Sequence, residues 1–173
     1  MFFYSNLTTA SNYLGNSTTL AIKDTIISGV ALKKGAQLSL PVNLNGYKSF
    51  RAYLSYGMPM KKIKSTFNLN LGQTYSSTPA LINGNTNFSN NFNSNIGLVL
   101  ASNISESLDF TLNYTLNYTT VQNTLQSSLN NQYVIQNFNA KINFMPTPKW
   151  VFNADITNSS YKGLGATFNQ NIW

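Results

Sequence analysis

Asp24, Glu106, Asp109 and Asp155 are the only carboxylates in a chain of 173 residues that contains neither histidine nor cysteine. Without an imidazole there is no His-based triad and no His metal site, and without a thiol there is no thiolate nucleophile and no disulfide framework. The four acids are scattered and give no paired acid–base signal. Asp109 and Asp155 share one side of their segments, each soon after a short turn, and pairing with Lys64, Lys141 or water accounts for them. Gly163-Leu164-Gly165 lacks the strand, helix and lysine of a phosphate loop. Asn6-Leu7-Thr8, Asn16-Ser17-Thr18, Asn113-Tyr114-Thr115 and Asn117-Tyr118-Thr119 match the glycosylation acceptor pattern, which recurs by chance in an Asn- and Thr-rich chain. No enzymatic activity and no cofactor are expected. What remains is hydrogen-bonding chemistry. Arg51, Lys64, Asn68, Asn70, Asp109, Asn113, Asn117, Asn139, Lys141, Asn143, Asn153 and Asp155 stand opposite apolar residues in successive segments. Amides and isolated charges placed in this way contact a passing solute or a neighbouring domain.

The elements that must position them alternate with a period of two. From Leu108 to Thr120, the residues Leu108, Phe110, Leu112, Tyr114, Leu116 and Tyr118 fall on one parity. Asp109, Thr111, Asn113, Thr115, Asn117 and Thr119 take the other, which is the signature of a strand with one apolar and one polar face. Such a strand is long enough to cross a bilayer core, which takes roughly 9–11 tilted residues. The same reading predicts one strand over Gln37 to Tyr56, bent at Asn45-Gly46, then strands over Ile63 to Ser76, Asn93 to Ser102 and Tyr133 to Phe144, and another lined by Trp150, Phe152, Ala154 and Ile156. Phe2 to Thr9 forms a less regular strand, and Phe168 to Trp173 opens a further one. Residues 10–36 read as a long loop in which Thr25 to Leu32 pairs outside any membrane.

The predicted connections alternate, short at 57–62, 103–107 and 145–149 and long at 77–92, 121–132 and 158–167. That is the asymmetry of an outer-membrane barrel, whose longer loops face outward and capture ligand. Arg51, Lys64, Asp109, Lys141 and Asp155 all take the polar parity, as expected where a lysine or arginine facing lipid costs about 2–4 kcal/mol at the midplane. Lys48 takes the other parity near a strand end, where that cost fades. Phe67, Leu69, Leu98, Leu112, Leu116, Ile142 and Phe152 are expected to face lipid, and Tyr56, Tyr75, Tyr133, Phe144 and Trp150 to form an aromatic girdle.

Composition points the same way. Charged residues are 9% of the chain, against about 25% in ordinary globular domains, and Asn, Ser and Thr fill the deficit. The formal net charge of +7 is compatible with anionic partners. Its one dense cluster, Lys61, Lys62 and Lys64, sits at a turn, so nucleic acid is not an expected partner. No apolar run approaches the roughly 18 residues of a transmembrane helix. Met1-Phe2-Phe3-Tyr4-Ser5-Asn6 has neither a positive n-region nor a long apolar h-region, so an exported protein opening here is expected to be a fragment. The expected fold is all-β: an incomplete antiparallel up-and-down transmembrane barrel wall. Residues 1–173 form one partial domain supplying about seven or eight strands. A soluble β-sandwich adhesin or interaction module, whose apolar parity packs on a second sheet, is the alternative.

Leu112-Asn113-Tyr114-Thr115, the turn after Tyr56-Gly57-Met58-Pro59, and Tyr161-Lys162-Gly163 running on to Phe168-Asn169-Gln170-Asn171 carry a resemblance. They resemble the C-terminal part of the Bacteroidota-type outer-membrane β-barrel family related to TonB-dependent receptors, over nearly the whole chain from Gln37 onward. The resemblance implies a barrel of about 22 strands with an N-terminal plug, set in outer-membrane lipid and importing large or scarce solutes with energy passed from the inner membrane through TonB. Plug, TonB-contacting segment and last strands are not in this sequence, so no substrate-binding or energy-coupling residue of the family is placed on it. A passive pore or a small structural outer-membrane barrel is the alternative function.

Overall fold

Segments with one apolar and one polar face satisfy their backbone groups only by pairing sideways, and this chain does so almost throughout. The computed structural model describes residues 1–105, 107–163, 165 and 169–173, without the side chains of Asn103 and Ile104. Glu106 and Phe168, the predicted start of the last strand, lie outside the described residues. The strands are β1 (Phe2–Ala10), β2 (Tyr13–Leu20), β3 (Thr25–Ile27), β4 (Val30–Leu32), β5 (Gln37–Leu44), β6 (Tyr47–Met60) and β7 (Ser65–Ile82). They continue as β8 (Asn85–Ser105), β9 (Leu108–Asn123), β10 (Asn131–Thr147), β11 (Trp150–Lys162) and β12 (Gln170–Ile172), with single 3-10 turns at Lys61–Ile63 and Ser127–Leu129. Among the described residues there is no α-helix.

The sheet runs in the order β1-β6-β7-β8-β9-β10-β11-β12, each neighbour antiparallel to the next. It is therefore an all-β, up-and-down antiparallel sheet, and among the described residues β1 and β12 do not pair to close it. The chain enters by one very long hairpin. Pairing keeps a single register from Phe2–Ser55 through Tyr13–Leu44 to Thr25–Leu32, without insertion or deletion in either arm. Its tip is a two-residue turn at Ser28 and Gly29, both in the left-handed region at φ 51° and 78°, the turn geometry that matches strand twist.

The far half of that hairpin, β2–β5, rolls over. Next to β7 the lower half presents β6, but the upper half presents β2, which runs parallel to β7 at Ser17–Leu81 and Thr18–Ile82. The roll occurs between Ala10 and Tyr13 and between Leu44 and Tyr47, where Gly46 takes φ 96°. Tyr13 and Tyr47 stack there with ring centroids 4.6 Å apart. Gly15 lies so close to β7 that a Cβ would meet the Pro79 carbonyl oxygen at 3.0 Å. Pro79 is fully buried, on the stretch of β7 beyond its last β6 pair, where that edge asks for no ladder bond to β6. The buried apolar residues, Ala21 and Leu32, also lie in this arm.

Several sequence expectations change. Within residues 10–36 the expected pairing of Thr25 to Leu32 is present as β3–β4, but Tyr13–Leu20 is a strand, β2, rather than loop, and Gln37 to Tyr56 is two strands with different partners. Residues 77–92 belong to β7 and β8, which run on to a two-residue turn at Asn83 (φ 49°) and Gly84 (φ 79°). Asn-Gly closes a hairpin, because both residues tolerate positive φ, and the polar composition around it concealed a ladder. The stretch at 121–132 shortens to 124–130, and residues 158–162 of the stretch at 158–167 belong to β11. The predicted strand at Ile63 begins at Ser65, because Lys64 takes φ 46° at the end of the 3-10 turn. Connections at the other end are short: among the described residues, 61–64, 107 and 148–149 lie outside strands there.

Candidate functional site

Directly paired residues in a sheet share a face, so the registers assign every row. Met58, Phe67, Leu100, Leu112, Ala140 and Ile156 form one row, and Leu54, Leu71, Ile96 and Leu116 another. Tyr56, Leu69, Leu98, Tyr114 and Phe138 lie between them, and Leu108, Phe144 and Phe152 at the short-turn edge. The seven residues expected to face lipid all lie on this face. Among the described residues no second layer covers it: Ile142 is 41% exposed, Phe144 43% and Ile156 53%. Toward the long-turn end the next row mixes Gln73 and Ser94 with Ala52, Tyr118 and Val134, and there Ser94 Oγ donates to Gln73 Oε1 at 2.8 Å.

The band also drifts. On β6 its centre is Leu54, in the row of Leu116, whereas on β11 it is Ala154, in the row of Ile142 and Phe110. Measured along β9, the centre moves from Leu116 to Phe110 between those strands, about one residue per strand step. With roughly 3.3 Å per residue and 4.8 Å between strands, a level apolar belt requires strands inclined by roughly 35–40°.

The opposite face carries the candidate residues. Arg51, Asn68, Asn70, Asp109, Asn113, Asn117, Asn139, Lys141, Asn143, Asn153 and Asp155 all share it. Lys64 does not belong to these rows, because its left-handed backbone takes it off the ladder and into the turn. Tyr53, whose parity puts it with Arg51, and Asn93, Asn95, Asn137 and Ser159, which the sequence reading missed, stand on the same face. Register was the missing signal, since Asn93 and Asn95 were assigned to a strand but not to a row.

These side chains bridge from strand to strand. Tyr53 Oη and Ser55 Oγ both donate to Asn70 Oδ1, at 2.9 and 2.8 Å. Asn95 Nδ2 donates to Asn117 Oδ1 at 2.6 Å and Asn93 Nδ2 to Thr119 Oγ1 at 2.7 Å. Ser159 Oγ donates to Asn137 Oδ1 at 2.9 Å. Asn139 Nδ2 reaches Asp155 Oδ1 at 2.6 Å, while Lys141 Nζ lies 3.3 Å from Asp155 Oδ2. Asn143 Nδ2 donates to Asp109 Oδ1 at 2.6 Å. Asp109 and Asp155 are thus held by different neighbours and do not form an acid pair. The face carries Arg51 and Lys141 against Asp109 and Asp155, so its charges balance.

Glycines keep this lattice low. Gly57 faces Asn68, Gly72 faces Asn95 and Gly97 faces Asn70. A Cβ on Gly57 would sit 2.9 Å from Asn68 Oδ1. Each amide therefore lies over a position without a side chain. Among the described residues no group of acids could hold a metal ion, and no helix is long and apolar enough to cross a membrane. Compared with known protein families, curated proteins and solved structures, the chain finds no match.

Proposed function

We propose that the chain is part of the wall of an outer-membrane transport barrel of the TonB-dependent-receptor type, its polar face lining the lumen for active uptake of a solute. The observation that carries this reading is the uncovered apolar face and its steady drift across the strands. A soluble sandwich needs a second sheet about 10 Å away on that face, and none is present among the described residues. Inclination of roughly 35–40° falls in the range of membrane barrels, about 35–45°. On this reading Leu112, Ile142 and their rows contact lipid, and the Asn lattice contacts solute or a plug through which TonB acts. The β2–β5 arm and the 124–130 connection stand at the cell surface.

A passive pore or a small structural barrel is the second reading. It is favoured by the even alternation of the strand path, in which β1 and β12 would meet antiparallel. Single cysteines placed along β9 in native membranes test the wall itself, since the described residues offer no competing thiol. A water-soluble maleimide is expected to label positions 113, 115 and 117 and to miss 112, 114 and 116, which a lipid-soluble maleimide reaches. Equal labelling of both parities by the water-soluble reagent would remove the membrane reading. Conductance in planar bilayers then separates the two functions, because a plugged transporter passes little steady current and an open pore passes a constant one.

A further inference from the structure

Lys61, Lys62, Lys64 and Lys149 lie in the short turns at one end, Lys23, Lys33, Lys34, Lys48 and Lys162 lie toward the other, and Arg51 and Lys141 on the polar face are matched by Asp109 and Asp155. Glu106, the acid that the sequence places at the short-turn end, lies outside the described residues.

The turn between β6 and β7 leans toward the apolar face. Ser65 and Ser102 face that side, in the row of Met60 and Phe110, and both are buried. Ser65 Oγ donates to the Ile63 carbonyl oxygen at 2.8 Å, and Ser102 Oγ lies 3.5 Å from the same oxygen. Two hydroxyls on the apolar side thus hold the turn down on that side. Beside it Met58, Pro59, Met60, Lys61, Lys62 and Ile63 line a depression of about 410 Å³. Met58 and Ile63 remain 40% and 48% exposed, and Lys61 and Lys62 are exposed at its rim. Apolar side chains continuous with the lipid-facing band, bordered by two consecutive exposed lysines, match an acyl chain ending in a phosphate.

We propose that this turn binds an anionic phospholipid, its acyl chain along Met58 and Ile63 and its phosphate on Lys61 and Lys62. The proposal rests on the membrane-wall reading and adds to it a lipid of defined charge at a defined place. The protein, extracted from its membrane in mild detergent, is transferred to phosphatidylcholine bilayers containing a minority of phosphatidylglycerol. Protease protection reports insertion, and native mass spectrometry reports the lipid retained. The wild type is expected to retain phosphatidylglycerol over phosphatidylcholine by about tenfold after correction for their proportions. Lys61→Gln/Lys62→Gln is expected to lose that preference, while Lys23→Gln/Lys33→Gln, which removes the same charge at the far end, keeps it. An inserted protein with no preference, or a preference that survives in Lys61→Gln/Lys62→Gln, overturns the site and leaves the membrane wall standing. Failure of the wild type to insert in either lipid overturns both.

Discussion

Asparagine does two jobs on the polar face: it links neighbouring strands and it wets the surface without adding net charge. Asn70 accepts from Tyr53 and Ser55 at once, and Asn139 reaches both Asp155 and Thr157. An amide can do this because it offers two donors and two acceptor sites on a short stem. The two sides of β9 make the sharpest contrast at this scale. Leu112→Arg would set a guanidinium among Leu100 and Ala140, its row neighbours, at a cost of about 2–4 kcal/mol if lipid lies there. Asn113→Arg enters a face that already holds Arg51 and Lys141. Heat-modifiable migration on gels, read as the folded fraction in membranes, is expected to collapse for Leu112→Arg and to persist for Asn113→Arg. Equal losses would remove the face assignment. Most of this was legible in the sequence, because parity within a strand is a local property. Lys64 was misplaced for a local reason too, as a single left-handed residue breaks the parity count and carries no sequence mark in a lysine.

Elements were less legible than residues, and the reason is turn chemistry. Asn83-Gly84 and Ser28-Gly29 each close a ladder in two residues, so the polar run at 77–92, which resembled a loop, is a pair of strand ends. No apolar alternation marks such strands. The roll of the β2–β5 arm passes through Gly46, whose φ of 96° strains any other residue and where an added Cβ would lie 3.0 Å from Phe88 Cε1. Gly46→Ala is expected to cost about 1–2 kcal/mol locally and to free the arm. Limited proteolysis should then cut within residues 13–44 several times faster, while the circular dichroism of the wall stays unchanged; unaltered cleavage would show that the roll is not held there. At the arm's tip Asp24 accepts the Lys34 backbone N–H at 2.8 Å and lies 3.2 Å from Lys33 Nζ. These contacts, the backbone hydrogen bond first, hold its carboxyl below the ordinary value of 3.8. A lowered folded-state pKa means that the contribution to tip order is full above the ordinary value and disappears as pH falls through the lowered one. Slow exchange of the Lys34 amide should therefore persist at mildly acidic pH and be lost only below 3.8. Asp24→Asn, which keeps an acceptor but cannot titrate, should show no such step.

For the whole molecule the open question is where the two free edges go, and the relief of the polar face bears on it. In a barrel of about eight strands the interior is filled by the side chains of its own wall. Here Gly57, Gly72 and Gly97 lie on that face beside amides, and the rows between them carry mainly Ser, Thr and Asn. A flat, neutral lattice suits the side of a wide lumen better than the core of a narrow one. The described part of β12 is three residues long, whereas β1 offers nine to pair with. In a large barrel β1 and β12 meet other strands instead. Phe3→Cys/Asn171→Cys decides between the two arrangements, with a panel of neighbouring pairs to allow for register. Under mild oxidation in native membranes no pair in the panel is expected to form an intramolecular disulfide, whereas Phe3→Cys/Leu54→Cys, directly paired across β1 and β6, should cross-link. An efficient β1–β12 disulfide would establish an eight-stranded closed barrel, and the uptake function would give way to the passive or structural one.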